Sequence, residues 1–324
     1  MDPSMLYNPD YAWEANRKLE LAMDMGFWED RILLSFSYYR NRSDNQLIAY
    51  SLPFQAGFSS VNQNLDAEIE NKGLEITLDA NLIQGSHFSW STKFNIARSR
   101  NKLLSFPGLE NSSYANKYVI GPSIGTQNFY RYTGINAQTG LYEIEDNNGD
   151  GKYTIQDRTV LVDYSPDFFG GWNNTFSYKR WRKGFLMDFK KQRGNAAQAA
   201  NPNAPGLGLV NHATQVMDRW QQEGDVADYQ RFIASRTDKG YSAFQNFLNS
   251  DGKVTDASFI KLRNVYLSYS PDVAALKPIT ALELFCQIQN LWTYSRYKGG
   301  DPEIQNYLTT PPMRIMMFGL KISL

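Results

Sequence analysis

The segment at 146–157 has the residue types and the spacing of a calcium-binding loop, with the sequence Asp-Asn-Asn-Gly-Asp-Gly-Lys-Tyr-Thr-Ile-Gln-Asp. Calcium requires several oxygen ligands on a sharply turning backbone, and a loop of this length supplies them from positions 1, 3, 5, 7 and 12. The predicted ligands are four side chains and, at position 7, a backbone carbonyl: Asp146, Asn148, Asp150, Asp157 and Lys152. Position 12 is Asp instead of a bidentate Glu, and no helical pattern flanks the loop, so it is not an EF-hand. The alternative interpretation is a polar turn rich in Asn, Asp and Gly.

Other residues with reactive side chains do not combine into a catalytic site. The sequence Gly-Pro-Ser-Ile-Gly at 121–125 matches the nucleophile-elbow pattern, but that chemistry needs a helix after the serine, and loop and strand character follows instead. His87 and His212 lack the spacing of a metal-binding pair. Cys286, the single cysteine, alternates with apolar residues and has no disulfide partner within the chain. We therefore predict that the protein is not an enzyme.

The overall composition excludes two further classes of protein. The 324 residues contain 33 Lys and Arg and 33 Asp and Glu, so the net charge is zero and gives no electrostatic reason for nucleic-acid binding. The mean hydropathy is −0.49, and no apolar stretch approaches the roughly 18 residues that a membrane-spanning helix requires. Aromatic residues make up 14% of the chain, which fits strands with aromatic girdles at membrane interfaces.

Long two-residue alternations are the main structural signal. Large apolar residues dominate the odd positions of 18–27, and apolar or small residues occupy the even positions of 73–82. A period of two puts successive side chains on opposite faces of a strand, and about ten tilted residues cross a bilayer. The predicted fold class is therefore all-β, an antiparallel transmembrane β-barrel segment of about ten long strands. The strands are predicted at 15–27, 31–41, 69–82, 87–98, 127–134, 168–180, 184–192, 257–270, 280–294 and 312–324.

Connections of two lengths separate these strands. The turn at 26–30 is tight, whereas the connections at 44–66, 99–126 and 193–256 are long. Short turns at one end and long loops at the other are typical of outer-membrane barrels, whereas a connection as long as the last one is uncommon in a compact soluble domain. Within that longest loop, the sequence predicts a short helix at 214–223.

A β-sandwich is the alternative architecture, because alternation does not reveal what the apolar face contacts. The alternative function is a soluble, calcium-bearing β-sandwich module that recognises glycans. Strand length, aromatic content and loop asymmetry favour the barrel. A bulge near Arg263 and Asn264 is needed to reconcile the two phases of the strand at 257–270. Five tryptophans at predicted strand ends or turns are expected to form an interface belt or, alternatively, to stack on sugars: Trp13, Trp28, Trp172, Trp181 and Trp292.

Five motifs follow one another along 8–322. They are Asn-Pro-Asp-Tyr-Ala-Trp-Glu at 8–14, Ile-Glu-Asn-Lys-Gly-Leu-Glu at 69–75, the Thr-Gly and Asn-Gly-Asp-Gly-Lys elements within 133–152, Ala-Ser-Phe-Ile-Lys-Leu-Arg-Asn-Val at 257–265, and Gln-Asn-Leu-Trp-Thr with Tyr-Lys-Gly-Gly-Asp-Pro-Glu within 289–303. In this order they resemble the C-terminal end of the SusC/RagA family of TonB-dependent outer-membrane transporters. One such motif is a weak signal, whereas five in the family's order are a specific one.

The resemblance implies that 1–324 is the C-terminal portion of an outer-membrane β-barrel in a Gram-negative bacterium. It also implies import of oligosaccharides or peptides, a SusD-like surface lipoprotein as partner, energy from TonB, and contact with outer-membrane lipid. The family's plug, its TonB-contacting segment and about half of its barrel have no counterpart in the sequence. The first seven residues lack the basic and apolar regions of a signal peptide. We therefore expect a truncated chain that does not transport alone.

Overall fold

The computed structural model describes residues 7–52, 55, 57–199, 201–276, 278–306 and 309–324. Its strands are β1 (Ala15–Phe27), β2 (Ile32–Asp44), β3 (Gln46–Ser51), β4 (Ser60–Leu65), β5 (Glu68–Gln84), β6 (Phe88–Ser105), β7 (Thr126–Phe129), β8 (Tyr132–Ile135), β9 (Tyr142–Ile144), β10 (Val160–Asp163), β11 (Phe168–Tyr178), β12 (Trp181–Lys191), β13 (Arg193–Asn195), β14 (Val254–Asp256), β15 (Phe259–Tyr269), β16 (Ala281–Ser295) and β17 (Ile315–Ser323).

Helical structure is confined to the long connections of the described chain. The α-helix α1 comprises Lys239–Leu248. Short 3₁₀-helices lie at Leu109–Asn111, Ile155–Asp157, Ala197–Ala199, Thr214–Asp218 and Asp251–Lys253. Across the described residues, no helix is both long enough and apolar enough to cross a lipid bilayer.

Nine long strands in the described chain form one antiparallel sheet, in the order β1-β2-β5-β6-β11-β12-β15-β16-β17. Each long strand pairs with the next long strand in the sequence, so the sheet grows as a meander. Nine of the ten predicted strands are in this sheet, and the antiparallel all-β prediction is confirmed. The remaining described strands form two-stranded sheets in the connections, namely β3–β4, β7–β10, β8–β9 and β13–β14.

The alternating sequence gives the sheet two chemically different faces. Directly opposite residues on neighbouring strands lie on the same face, so the register extends each apolar position across the sheet. One apolar row comprises Met23, Phe36, Ile76 and Ile96. The next row lies on the opposite face and is polar: Asp24, Ser35, Thr77 and Asn95. We refer to these as the apolar face and the polar face.

The apolar face lies on the outside of the molecule. Leu21 is 59% exposed and Leu320 is 54% exposed, although both are large apolar side chains. Ile76, on a central strand, is half-buried by its neighbours within the same sheet. A β-sandwich would bury these residues between two sheets. The sandwich alternative is therefore wrong, and the exposed apolar rows fit a surface that faces lipid.

A bulge preserves this arrangement where the sequence changes phase. Leu262 pairs with Met187 and Asn264 pairs with Leu186, so Arg263 is the additional residue in β15. The predicted bulge near Arg263 and Asn264 is confirmed. Because an extra residue would otherwise exchange the two faces, the bulge keeps the apolar side chains of both halves of β15 on the same side.

The short turns and the long connections are at opposite ends of the sheet. One end carries the hairpin turns that connect β1 to β2, β5 to β6, and β11 to β12. The other end carries the connections at 106–167 and 192–258. The predicted loop asymmetry is confirmed, and we refer to the second end as the long-loop end. In outer-membrane barrels the long loops are extracellular.

Three of the predicted belt tryptophans lie near the ends of the sheet. Trp28 is in the turn after β1, Trp181 begins β12, and Trp292 lies close to the long-loop end of β16. Trp13, which is 91% exposed, precedes β1. Trp172 is in the middle of β11, so its expected position at a strand end was wrong.

Trp172 and Trp90 instead cover two polar residues on the apolar face. The indole N–H of Trp172 donates to Thr92 Oγ1 at 2.8 Å, and that of Trp90 donates to Asn174 Oδ1 at 2.9 Å. Thr92 is 7% exposed and Asn174 is 1% exposed. The two ring systems shield these polar atoms from the surroundings, which reduces the cost of polar groups on an apolar surface.

Three local predictions differ from the structure. The strand predicted at 127–134 is two short strands, β7 and β8, in separate sheets outside the main one. The strand predicted at 87–98 continues to Ser105 as β6. The helix predicted at 214–223 is only a 3₁₀-helix at Thr214–Asp218, and α1 was not predicted.

We predict that a charge on the apolar face destabilises the protein more than the same charge on the polar face. Met23→Arg places a cation toward lipid and should lower the free energy of unfolding in lipid bilayers by about 2–4 kcal/mol. Ala22→Arg, one residue away on the polar face, is the matched control and should have a smaller effect. Equal losses in the two variants, measured by urea unfolding in vesicles, would contradict the assignment of the faces.

Candidate functional site

The long connections form folded structure at their end of the sheet. Residues from 106–167 and 192–258 share one hydrophobic core, which comprises Tyr142, Ala204, Ile233, Phe244 and Phe247. The rings of Tyr142 and Phe247 stack with centroids 4.2 Å apart. Burial of these aromatic groups stabilises the two connections against each other. The candidate functional surface is therefore this folded layer together with the polar face beneath it.

Helix α1 supplies two of the core aromatics. Its N-cap is Asp238, whose carboxylate accepts the backbone N–H of Gly240 at 2.8 Å. Arg231 holds the same carboxylate through contacts of 2.7 and 3.1 Å. Phe244 and Phe247 are three residues apart and therefore lie on one side of the helix. The N-cap residue followed by this apolar spacing was the sequence signal for α1 that the periodicity analysis missed.

In the loop at 146–157, backbone N–H groups donate to the predicted ligand side chains. Asp146 accepts the N–H groups of Gly149 and Gly151, each at 2.8 Å. Asp150 accepts the N–H of Lys152 at 2.7 Å. These bonds bend the backbone around the carboxylates, as in both a polar turn and a calcium loop.

Asp157 closes this loop from its C-terminal end. Its carboxylate accepts the backbone N–H groups of Asn147, Asn148 and Thr154 at 3.1, 3.3 and 2.8 Å, and the Thr154 hydroxyl at 3.2 Å. Asp157 is fully buried. The N–H of Thr154 contributes most to lowering the pKa of Asp157 below its usual value, and burial acts in the opposite direction. Asp157 therefore has a structural role whether or not a metal binds.

The predicted calcium site contains oxygen donors of the kind that calcium binds. Its carboxylates do not form a cluster. In the described chain, no group of three or more His, Cys, Asp or Glu residues is arranged to hold a metal ion. The oxygens of Asp146 and Asp150 are hydrogen-bonded, but a carboxylate oxygen has more than one lone pair. Together with the amide oxygen of Asn148 and the carbonyl of Lys152, they are hard oxygen donors. Calcium binding at this loop stays a prediction.

An ionic cluster on the polar face joins the last long connection to the sheet. Lys261, which is buried, contacts both carboxylate oxygens of Asp301 at 2.9 Å and Glu303 at 2.9 Å. Arg263 donates to Asp188 at 2.8–2.9 Å and to Glu303 at 2.7 Å. Burial alone would raise the pKa of Asp301, but the hydrogen bonds from Lys261 lower it below its usual value. We refer to these five residues as the ionic cluster.

Two hydrogen bonds reinforce the attachment of this connection. The Gln192 side-chain N–H₂ donates to the carbonyl of Pro302 at 2.8 Å, and Gln192 is itself buried. The Tyr297 hydroxyl donates to the carbonyl of Asn195 at 2.7 Å. The connection between β16 and β17 is thus held against both the polar face and the neighbouring long loop. A cavity of ≈ 620 Å³ borders the ionic cluster.

The other reactive residues are in unrelated environments. The Ser123 hydroxyl accepts the N–H of Gly125 at 3.1 Å, and its described contacts include no histidine. His212 is in the long connection, where burial lowers its pKa below the usual value. Cys286 is on the apolar face, opposite Leu267 and Phe318. The structure therefore does not bring these residues together.

Comparisons with known proteins agree with this architecture. The family model described as "TonB dependent receptor-like, beta-barrel" matches residues 2–116. TonB-dependent receptor P3 of Formosa agariphila is 27% identical, over 91% of this chain and 31% of its own length. TonB-dependent receptor SusC of Bacteroides thetaiotaomicron is 24% identical, over 98% of this chain and 32% of its own length. The chain is therefore similar to TonB-dependent receptors along most of its own length. Among solved structures, the RagAB peptide transporter has a similar fold, with a TM-score of 0.77 at 21% identity over 99% of this chain and 36% of that one.

The chain spans about a third of the length of the curated relatives that it matches. Four of the five residues of the ionic cluster lie within two of the motifs that resemble the SusC/RagA family, at 257–265 and 289–303, and the fifth is Asp188 of β12. The contact between these two motifs was not predicted from the sequence. The available signal was a pair of cations, Lys261 and Arg263, within a strand of the sheet, because a buried charge requires a partner.

We predict that the ionic cluster fixes the connection between β16 and β17. Lys261→Met leaves Asp301 without its buried cation, and breaking such a pair typically costs about 3–5 kcal/mol. Hydrogen exchange at 297–306 should accelerate accordingly. Lys93→Met removes the Lys partner of Asp79 in an exposed pair, and it should cost less than about 1 kcal/mol. Unchanged exchange at 297–306 in Lys261→Met would show that the cluster does not hold this segment.

Proposed function

We propose that the chain forms part of the wall and the extracellular loop layer of a transporter in the outer membrane. The observation that carries this proposal is the single sheet with an exposed apolar face on one side and a polar face on the other. Such a sheet separates hydrocarbon from an aqueous interior. The cargo moves without covalent chemistry, so the residues of this chain line the path and do not catalyse a reaction.

We propose that the cargo is a peptide or an oligosaccharide. The cavity beside the ionic cluster is lined in part by Thr77, Asn95, Asp188 and Glu303. These side chains offer hydrogen-bond donors, acceptors and negative charge, as binding of polar polymers requires. The similarity to a protein described as a peptide transporter supports peptides, and the SusC/RagA resemblance leaves oligosaccharides open.

We also propose that the long-loop layer contacts a SusD-like surface lipoprotein. Leu209 and Val226 are fully exposed in the connection at 192–258, and Met217 is 63% exposed. Apolar side chains that project from a polar loop layer are typical anchors of protein interfaces. Energy from TonB belongs to the same proposal, and we assign no residue of this chain to that contact.

We predict that Leu209→Asp together with Val226→Asp releases the lipoprotein. Charges at apolar anchors prevent their burial, so co-purification of the lipoprotein with the receptor should fall at least tenfold. Leu276→Asp changes a residue that is 52% exposed in the turn after β15, at the opposite end of the sheet, and should retain the partner. Uptake of labelled peptides and labelled oligosaccharides by the same strains identifies the cargo. Retention of the lipoprotein and of uptake in the double variant would contradict the proposed interface.

We propose that the loop at 146–157 binds calcium through the side chains of Asp146, Asn148 and Asp150 and the carbonyl of Lys152, while Asp157, whose oxygens accept four hydrogen bonds, holds the loop closed at position 12. Because position 12 is Asp, we expect weak binding, in the range of about 10⁻⁴–10⁻³ M that is typical of extracellular sites. Hydrogen exchange at 147–154 should slow when calcium is added and should not respond to magnesium. Asp146→Asn should abolish the calcium response and leave the exchange of the main sheet unchanged. The same response in Asp146→Asn as in the unmodified protein would exclude this site.

A further inference from the structure

The apolar face changes its chemistry at the long-loop end of β1, β2, β5 and β6. Along each strand the apolar residues give way to charged residues on the same side. In β5, for example, Leu78, Ile76 and Leu74 are followed by Lys72 and Glu70. The basic residues of this region are Arg17, Arg40, Arg42, Lys72, Arg98, Arg100 and Lys102. We refer to these seven residues as the basic band.

Acidic neighbours neutralise only part of the basic band. Glu70 pairs with both Arg40 and Arg42, and Glu68 also pairs with Arg42. Asp44 and Asp167 pair with other members of the band, Arg17 and Arg100 respectively. Among the described residues, the remaining three members have no ion-pair or hydrogen-bond partner: Lys72, Arg98 and Lys102. The band therefore offers an excess of positive charge on the outer surface.

The height of the basic band coincides with the expected membrane boundary. From Leu74 to Ile83, the outward side chains of β5 are apolar or small, and ten residues at a rise of about 3.3 Å and a tilt of about 40° span roughly 25 Å. This is the usual height of the apolar band of an outer-membrane barrel. Lys72 is the next outward residue, directly opposite Arg40 and Arg100. The first basic row therefore lies at headgroup level.

The band is confined to one side of the sheet. At the same end of β11 and β16, the outward residues include Phe168, Trp292 and Tyr294, which are 40%, 49% and 54% exposed. Between them, the outward cation Lys191 of β12 is neutralised by an ion pair with Asp256. Aromatic groups are the ordinary residues of a membrane interface. The basic band replaces them over four neighbouring strands, so it is a localised patch and not a ring of charges around the wall.

We propose that the basic band binds the phosphate groups of anionic lipids in the outer leaflet. Arg and Lys side chains bind phosphate oxygens through charge-assisted hydrogen bonds, and the planar guanidinium can donate two such bonds at once. The orientation follows from the long-loop end being extracellular. This inference rests on the proposed outer-membrane location but not on the cargo or on the lipoprotein.

The test compares lipid retention by two triple variants of the receptor, purified from membranes in a non-ionic detergent. Lys72→Ala, Arg98→Ala and Lys102→Ala remove the unpartnered cations of the band. The control removes three cations from the polar face: Lys93, Arg182 and Lys190. Native mass spectrometry measures how much diphosphorylated lipid A and how much of its dephosphorylated form each protein binds. The ratio of the two is the preference for phosphate.

The unmodified protein and the control should prefer the diphosphorylated lipid by at least tenfold, and the band variant should lose this preference. Raising the salt concentration should weaken the preference because partly exposed charges are screened. Lys102→Glu, an exposed single substitution, gives a second measurement if the triple variant folds poorly, and it should lower the preference by several-fold.

Equal preference in the band variant and the unmodified protein would overturn the inference. Equal loss in the band variant and the control would also overturn it, because the preference would then reflect net charge alone. Cargo uptake, measured in cells that carry the same variants, separates the lipid-binding proposal from the transport proposal. A failure of cargo uptake in the unmodified receptor argues against the transport function and leaves the lipid measurement intact.

Discussion

The two-faced sheet depends on one constraint: each strand must keep its side-chain phase across its full length. Because side chains alternate with a period of two, a slip by one residue would exchange the apolar and polar faces of a strand. In β15 the additional residue Arg263 prevents this exchange, and it also directs a guanidinium toward Asp188 and Glu303. A single bulge therefore serves both the wall and the ionic cluster.

The polar face uses its charges to position structure at the long-loop end. Lys261, Asp301 and Glu303 connect a strand of the wall to the connection that precedes β17. On the apolar face, β1, β2, β5 and β6 become charged where their apolar rows end, at the long-loop end. The sheet thus carries three chemical zones, namely an exposed apolar zone, a polar zone on the other face and a charged rim at the long-loop end. The charged residues leave no signal in the net charge of the chain, because the positive and negative charges cancel to zero.

Periodicity predicted the long strands because each has one apolar face and one polar face. This arrangement leaves an alternation of ten residues or more in the sequence. It failed for β7 and β8, which are four residues each, because so short a run carries little periodic signal. In the loop at 146–157, Asp146, Asp150 and Asp157 accept backbone N–H groups, and calcium binding there stays a prediction. The pairing of Lys261 with Asp301 could not be predicted from spacing, because the partners are forty positions apart and meet only through the folded connection.

The most direct test of the account measures which face of the sheet contacts lipid. Single spin labels on the apolar face, at Met23, Ile76 and Leu320, are compared in bilayers with labels on the polar face at Asp24 and Thr77, all in a Cys286→Ser background. The account predicts that apolar-face labels collide mainly with oxygen dissolved in the lipid, and polar-face labels mainly with a water-soluble nickel complex. The reverse pattern, or no difference between the two sets, would contradict a membrane wall.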